Sequence, residues 1–344
     1  MKKLLLFLFL PFFTAAYAQI PSGYYNSASG LSGTALQSAL HNIIDNHTVI
    51  SYSGLWTAFK TTDDLPNGKV WDMYSTCTWT FSSDQCGNYS GECDCYNREH
   101  SWPKSWFGDI APMNSDLFHL YPTDGYVNGR RSNYPFGEVS SATYTSSNGS
   151  KVGSNTYPGY SGTVFEPIDE YKGDFARTYF YMSTRYYGED NSWPGSDMTN
   201  GSQLKPWALA MMKEWHNNDP VSEKETSRNN AVYTFQGNRN PFIDHPEYVA
   251  AIWGGSVGID HQDINHQFSV FPIPAVSSCT IEHSGFYSTD VTARFSDLSG
   301  REFKGKYTTT STAVIIDTES LGKGYYIVTL SESGKTPAFV RVIK

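Results

Sequence analysis

CYNREHSWPKSWF (residues 95–107), followed at a short distance by HLYPTDGYVNGRRSNYPFGEV (119–139), decides how this chain is to be read. Glu99 offers a hard carboxylate, His100 a base at neutral pH, and Asn128 an amide oxygen, while Arg98, Arg130 and Arg131 supply positive charge. Local geometry constrains the pair Glu99-His100. Adjacent strand residues point to opposite faces, so both can serve one centre only at a strand end or a bulge, and Trp102-Pro103 predicts early termination. Thr123 is the expected cap of a short helix through Val127 to about Asn133, which puts Asn128 and Arg131 on one face. The inferred unit is a strand or hairpin, a crossover, then a helix. Taken singly these features are ordinary: a Glu-His pair is usually surface charge plus a hydrogen-bonded imidazole, and Asn-Gly is usually a turn.

Together they fit metal-assisted hydrolysis of a phosphodiester. That reaction needs a water to lose a proton, charge to be stabilised on phosphorus, and the leaving oxygen to be neutralised. His100 suits the first task because an imidazole with a pKa of about 6.5 is mostly neutral at physiological pH. A divalent ion on Glu99 and the Asn128 oxygen would serve the other two. Oxygen-only ligands favour Mg²⁺, with Mn²⁺ or Ca²⁺ able to substitute, over Zn²⁺.

Working outward, MKKLLLFLFLPFFTAAYAQ opens the chain with two lysines, an apolar run from Leu4 to Phe13 and a small-residue site at Ala16-Tyr17-Ala18. This is the pattern of a secretory signal peptide over residues 1–18. No later run approaches the roughly 20 apolar residues of a spanning helix, so a soluble exported protein is expected. Cys77, Cys86, Cys93 and Cys95 crowd just ahead of Glu99, and an oxidising compartment favours two disulfides of undetermined connectivity. A zinc clip is the competing reading, disfavoured by the single residue between Cys93 and Cys95. Cys279 stands apart as a buried or unpaired thiol. The net charge of −9 is a global sum and does not exclude a locally basic groove for nucleic acid.

The 344 residues divide near Phe268 into a catalytic domain, 19–267, and a C-terminal β-sandwich, 268–344. After FSVFPIPAVSS come alternating runs such as VTARFSDLSGREFKG, TAVIIDT and GYYIVTLSESGKTPAFVRVIK. In the larger part, helices are expected over GDFARTYFYMSTRYYG, where Phe175, Tyr179, Met182 and Tyr186 recur at helical spacing, and over KPWALAMMKEWHNNDP. A third is SEKETSRNNAVYTFQGN, with a capping box of Ser222 and Glu225. Residues 136–160 read as loop or short surface hairpins.

The run from Tyr24 to about Gly254 resembles the bacterial endonuclease I family. The residues that carry the resemblance are NREHSWPKSWFG, NSDLFHLYPTDGYVNGRRSNYPFGEV, FEPIDEYKGDFARTYFYMSTRY and DPVSEKETSRNNAVYTFQGNRNPFIDHPEY, in that order. The resemblance implies an α+β fold with a ββα-metal (His-Me finger) active site. It also implies that His100 is the general base and that Glu99 and Asn128 hold Mg²⁺. The expected activity is cleavage of DNA, with RNA as a further substrate, at little sequence preference and leaving 5′ phosphates. Arg131 is the first candidate for an arginine at the phosphate, with Arg98 behind it. Substrate contacts are expected from Arg98, Arg130, Asn133, Arg177, Gln236 and Arg239, although a salt bridge is the simpler role for Arg177, and Gln236 and Arg239 are equally open to structural roles. His119 is expected as a core strand histidine. A second metal site at His216 and Asp219, or at His245 and Glu247, is the less favoured reading of those residues.

The C-terminal piece resembles the sorting domain of type IX secretion cargo, through FPIPA, DLSGREFKG, LGKGYYIVTLSESG and VRVIK. It implies a partner in that secretion machinery and a secreted or surface location. A monomer is expected. The rival class is a non-catalytic surface adhesin or glycan binder, suggested by the 15% aromatic content, against which stands the spread of aromatics over helical core segments. A metallopeptidase is disfavoured by the lack of an HExxH arrangement.

Overall fold

Helices α1 (Gly33–Ile44) and α2 (Leu55–Thr62) bury Leu36, Leu40, Ile44, Leu55, Ala58 and Phe59 at helical spacing and start the core of the first of two units, which ends at Gly254. The computed structural model describes residues 20–254, 268–283, 289–297, 301–319, 321–332 and 338–344; the signal peptide assigned to 1–18 lies outside them. Among the described residues no helix is long and apolar enough to cross a membrane.

Strand β1 (Tyr96–His100) pairs antiparallel with β2 (Leu120–Asp124), Tyr96 opposite Asp124 and His100 opposite Leu120. The crossover between them carries the short helix α3 (Lys104–Phe107), and α4 (Gly125–Arg131) begins directly after β2. Glu99 and His100 therefore end their strand, as expected from Trp102-Pro103. The cap of α4 is Asp124, not Thr123: its Oδ1 accepts from the N–H groups of Tyr126 at 2.8 Å and Val127 at 3.0 Å. Thr123 is a buried residue of β2, and the helix stops at Arg131 rather than at Asn133.

Beyond α4, the stretch 136–160 read as loop or short hairpins holds the antiparallel pair β3 (Val139–Thr145) and β4 (Lys151–Asn155), which β5 (Thr163–Glu166) extends to a three-stranded sheet. Helix α5 (Lys172–Arg185) is buried along its whole length, because strand and helix partners cover every side of it. Hydrogen bonds from two of its residues tie it to the β1–β2 unit. Tyr179 Oη donates to the Ser101 carbonyl at 2.7 Å, and Thr178 hydrogen-bonds Tyr121. After a small hairpin of β6 (Thr199–Asn200) and β7 (Gln203–Leu204), helices α6 (Pro206–Asn218), α7 (Glu223–Gln236), α8 (Pro241–Asp244) and α9 (Tyr248–Trp253) complete the unit. The capping box of Ser222 and Glu225 opens α7 as its sequence indicates.

Two disulfides, Cys77–Cys93 and Cys86–Cys95, clamp the entry to β1, so the zinc alternative falls. The second bears on the site directly: Gly125 N donates to the Cys95 carbonyl at 2.9 Å, and a Cβ on Gly125 would lie 2.5 Å from Cys86 Sγ. The disulfide thus fixes where β1 starts and where α4 starts. Replacing Cys86 and Cys95 together by serine should lower unfolding stability by roughly 2–3 kcal/mol through lost chain constraint. The check is urea unfolding of the variant beside the oxidised wild type, and an unchanged midpoint would contradict it.

The second unit is mainly β. Its described strands form two four-stranded sheets, one of β8 (Phe268–Phe271), β9 (Ser278–His283), β12 (Lys306–Thr309) and β13 (Ala313–Asp317), the other of β10 (Thr292–Asp297), β11 (Glu302–Phe303), β14 (Tyr325–Ser331) and β15 (Ala338–Ile343). Alternate residues, among them Ile281, Val314, Ile316, Val328 and Leu330, share one core with the buried free thiol of Cys279.

Candidate active site

Glu99, His100 and Asn128 line one open cleft of about 400 Å³, together with Tyr52, Arg98, Lys104 and Asn133. Two backbone features bring them there: the end of β1 presents the carboxylate and the imidazole, and the immediate turn from β2 into α4 returns Asn128 beside them.

The His100 ring is buried and held by its distal nitrogen. Nε2 lies 3.0 Å from the Asn114 carbonyl, so Nε2 carries the proton and Nδ1 carries the lone pair. Nδ1 makes no hydrogen bond among the described residues and is not among the sealed, unpartnered atoms, which leaves it open to the cleft. Tyr52 stacks on the ring, 5.9 Å between centroids with planes 20° apart. Burial first, then the neighbouring His119, holds the imidazole well below its ordinary value, so it stays neutral.

Glu99 is 3% exposed. Its Oε1 accepts from Tyr74 Oη at 2.9 Å and faces Arg131 Nη1 at 3.1 Å. Burial pushes this carboxyl up to about 7, and Arg131 opposes the rise. Asn128 donates through Nδ2 to Asn97 Oδ1 at 2.8 Å, which leaves its amide oxygen uncommitted. A carboxylate and an amide oxygen in one cleft form a hard donor set with no sulfur or nitrogen ligand, and fit an ion that keeps several waters and phosphate oxygens of its own. The one cluster of metal-ligating groups elsewhere among the described residues, Cys77, Cys93 and Asp124, is a disulfide beside a helix-capping carboxylate.

Other residues singled out in the sequence take different places. Arg131 is 1% exposed; besides Glu99 it donates to the His100 carbonyl at 3.1 Å and the Ser101 carbonyl at 2.6 Å. It braces the end of β1 from inside and also lines the cleft. Arg98 is half-buried, its guanidinium 3.7 Å from the Tyr52 ring centre and 4.5 Å from that of Trp56, and it lines the cleft. Arg130 is exposed over Tyr144, and Asn133 is exposed at the rim.

Arg177, Gln236 and Arg239 do not serve as substrate contacts, because each is sealed in the interior with internal partners. Arg177 pairs with Glu225, Nη2 to Oε2 at 2.8 Å. Gln236 accepts from Leu117 N at 2.6 Å and donates to Asp116 at 3.0 Å, tying α7 to the crossover. Arg239 pairs with Asp244. His119 is a buried core residue as expected, in a turn just before β2 rather than in the strand, with Nε2 at 2.6 Å from the Met113 carbonyl. His216 contacts the Pro246 carbonyl and Arg177, while Asp219 accepts from Gly173 N, so the two make no metal pair.

Sequence reasoning missed Asn97, Tyr52, Tyr74 and Asn114. Asn97 was within reach of it, since it lies two residues before Glu99 and so on the same face of β1. Asn114 acts through its carbonyl, for which no residue type is diagnostic.

This geometry sits inside a match to Endonuclease I that covers residues 32–247, more than half of the chain. The chain belongs to the endonuclease I family. It is a nuclease, a phosphodiester hydrolase of a metal-dependent family, and the binding-only alternative is set aside. The nuclease is 41% identical over 240 residues to an extracellular ribonuclease of Bacillus amyloliquefaciens, covering 67% of this chain and 78% of that one. It is 38% identical to an extracellular ribonuclease of Bacillus subtilis (strain 168), over 70% of this chain and 81% of that one. A periplasmic deoxyribonuclease of Aeromonas hydrophila is 26% identical over 48% of this chain and 59% of its own. Residues 269–344 match a secretion system C-terminal sorting domain, that of type IX secretion. The nuclease is accordingly secreted or displayed at the cell surface.

Proposed function

We propose that the first unit is a ββα-metal endonuclease in which His100 Nδ1 takes the proton of the attacking water, and that it cleaves both RNA and DNA with little sequence preference to leave 5′ phosphates. The observation that carries this reading is the convergence in one cleft of an open, unprotonated Nδ1 with the Glu99 carboxylate and the free Asn128 oxygen. The Nε2–Asn114 hydrogen bond keeps the ring in the tautomer a base requires, and the Tyr52 stack keeps it from turning away. Glu99 and Asn128 would hold the divalent ion, Mg²⁺ in this reading with Mn²⁺ or Ca²⁺ as substitutes. When bound, the ion supplies Lewis-acid charge at the scissile phosphate and the leaving oxygen. Arg131 holds the Glu99 carboxylate in place and opposes the rise in its pKa that burial causes, and Arg98 and Arg130 add positive charge where the phosphate backbone approaches. RNA belongs in the substrate class because the two relatives of highest identity given above bear the name ribonuclease.

The test is conversion of supercoiled plasmid and of a labelled single-stranded RNA by the purified mature protein. Nicking and RNA cleavage are expected with Mg²⁺ and should vanish in EDTA. Undiminished cleavage in EDTA would remove the metal from the scheme, and intact nucleic acid with every divalent ion would remove the scheme itself.

A further inference from the structure

Asn133 and Ser105 line two depressions at once: the cleft that holds His100, and a neighbouring one of about 630 Å³ whose walls include Tyr134, Tyr160 and Asp197. Asn133 Nδ2 donates to Ser105 Oγ at 3.4 Å, so this pair forms the saddle between them. Tyr160 is fixed there on two sides. Its ring stacks on Trp207, with centroids 5.1 Å apart and planes 14° from parallel, and its hydroxyl donates to Asp197 Oδ2 at 3.0 Å. Trp207 Nε1 donates to the Asp197 carbonyl at 3.1 Å, closing the arrangement. The stack depends on Gly159, where φ is +98° and a Cβ would lie 2.6 Å from Trp207 Cβ. Tyr160, half-buried and stacked on Trp207, is thus held rigid on the wall of a depression that shares Ser105 and Asn133 with the active-site cleft.

The lining chemistry rejects phosphate and suits a base. Among the described residues no lysine or arginine lines this depression, and the carboxylate of Asp197 repels an anion. Asp197 Oδ1 makes no hydrogen bond among the described residues, so the carboxylate can still accept N–H groups while the aromatic wall offers a stacking surface. Guanine presents adjacent N1–H and N2–H donors that match a carboxylate; the other bases place a carbonyl or a ring acceptor beside their donor. In a duplex that edge is already paired, so only an unpaired base can enter.

We propose that this depression is a nucleobase subsite that takes an unpaired base beside the scissile phosphate, giving the nuclease a preference for single-stranded nucleic acid and, within an otherwise weak sequence preference, a bias toward guanine at that one position. The inference rests on the nuclease reading of the adjoining cleft. It also makes a statement about binding that does not need catalysis.

Two readouts test it on the full mature chain. In EDTA, fluorescence anisotropy with a short labelled single strand and its duplex should show tighter binding of the single strand. Tyr160→Ala should weaken single-strand binding roughly tenfold, in line with the loss of one stacking contact, and leave duplex binding unchanged. Asp197→Ala, at an exposed position, removes the acceptor of the Tyr160 hydroxyl but leaves the Trp207 stack, so it should keep the single-strand preference and abolish guanine preference in mapped RNA cleavage sites. Equal losses on single strand and duplex, or an unchanged cleavage map in Asp197→Ala, would overturn the subsite. If cleavage failed on every substrate while the EDTA binding preference and its loss in Tyr160→Ala persisted, the catalytic reading would fall and the subsite would stand.

Discussion

His100→Ala should lower kcat for plasmid nicking and RNA cleavage by about 10²–10⁴-fold, the usual contribution of a positioned general base. Binding of nucleic acid in EDTA should stay close to wild type. The split follows from the geometry: Nε2 is spent on the Asn114 carbonyl, so the ring offers the cleft only one lone pair, at Nδ1. A lone pair there has little ground-state work to do on a phosphate that is itself rich in acceptors, and its effect is confined to the step in which the water loses its proton. Burial keeps the ring neutral, so this lone pair remains available below the pH at which an exposed histidine would protonate. Single-turnover cleavage separates the two quantities. Wild-type kcat in a folded His100→Ala protein would end the assignment of the base.

Arg131→Ala should be the most damaging single change to stability near the site, at roughly 3–5 kcal/mol, because it leaves a buried carboxylate without its counter-charge and takes a donor from each of the His100 and Ser101 carbonyls, the second of which keeps only Tyr179. Arg131 is 1% exposed and Glu99 3%, so water cannot replace the lost partner without opening the structure. Glu99 already titrates at about 7 against an ordinary 4.5, because burial outweighs the arginine. Its native pKa exceeds its unfolded one, so between about 4.5 and 7 the folded state holds a proton that the unfolded chain has released, and this group's contribution to stability falls as pH rises through that window. Removing Arg131 raises the native value further. Any activity the variant retains should therefore shift to higher pH, where Glu99 is ionised and able to hold a cation, while its stability declines faster than wild type over the same range. Arg131→Lys should fall between the two, since an ammonium cannot span Glu99 and both carbonyls as a guanidinium does. Urea unfolding and the pH–activity profile check both expectations; a stable variant with an unshifted profile would show that Arg131 does not brace Glu99.

Legibility differed from residue to residue for physical reasons. The strand end at Glu99-His100 was readable because Pro103 cannot continue a ladder, and the α7 cap because Ser222 and Glu225 have the spacing of reciprocal hydrogen bonds. The cap of α4 was misplaced by one residue, since Thr123 and Asp124 are both good caps and only the pairing of β2 decides which leaves the strand. The arginines were least legible. Arg98, Arg131, Arg177 and Arg239 look alike in sequence, yet Arg98 lines the cleft half-buried, Arg131 lines it from a buried position against Glu99, and the other two are sealed inside against Glu225 and Asp244.

By itself the sequence determined which chemical groups cluster in the chain, the helical and strand periods, the crowding of four cysteines ahead of the site, and the change to alternating strands after Phe268. These are properties of local spacing, and spacing survives in a linear string. Tertiary structure alone decided that Cys77 pairs with Cys93 and Cys86 with Cys95, that the Asn114 carbonyl selects the His100 tautomer, that Asn97 orients Asn128, and that Arg131 faces inward. Each of those depends on which surfaces are brought together and which are closed to water. Charge, donor and acceptor roles are set by that enclosure rather than by residue type.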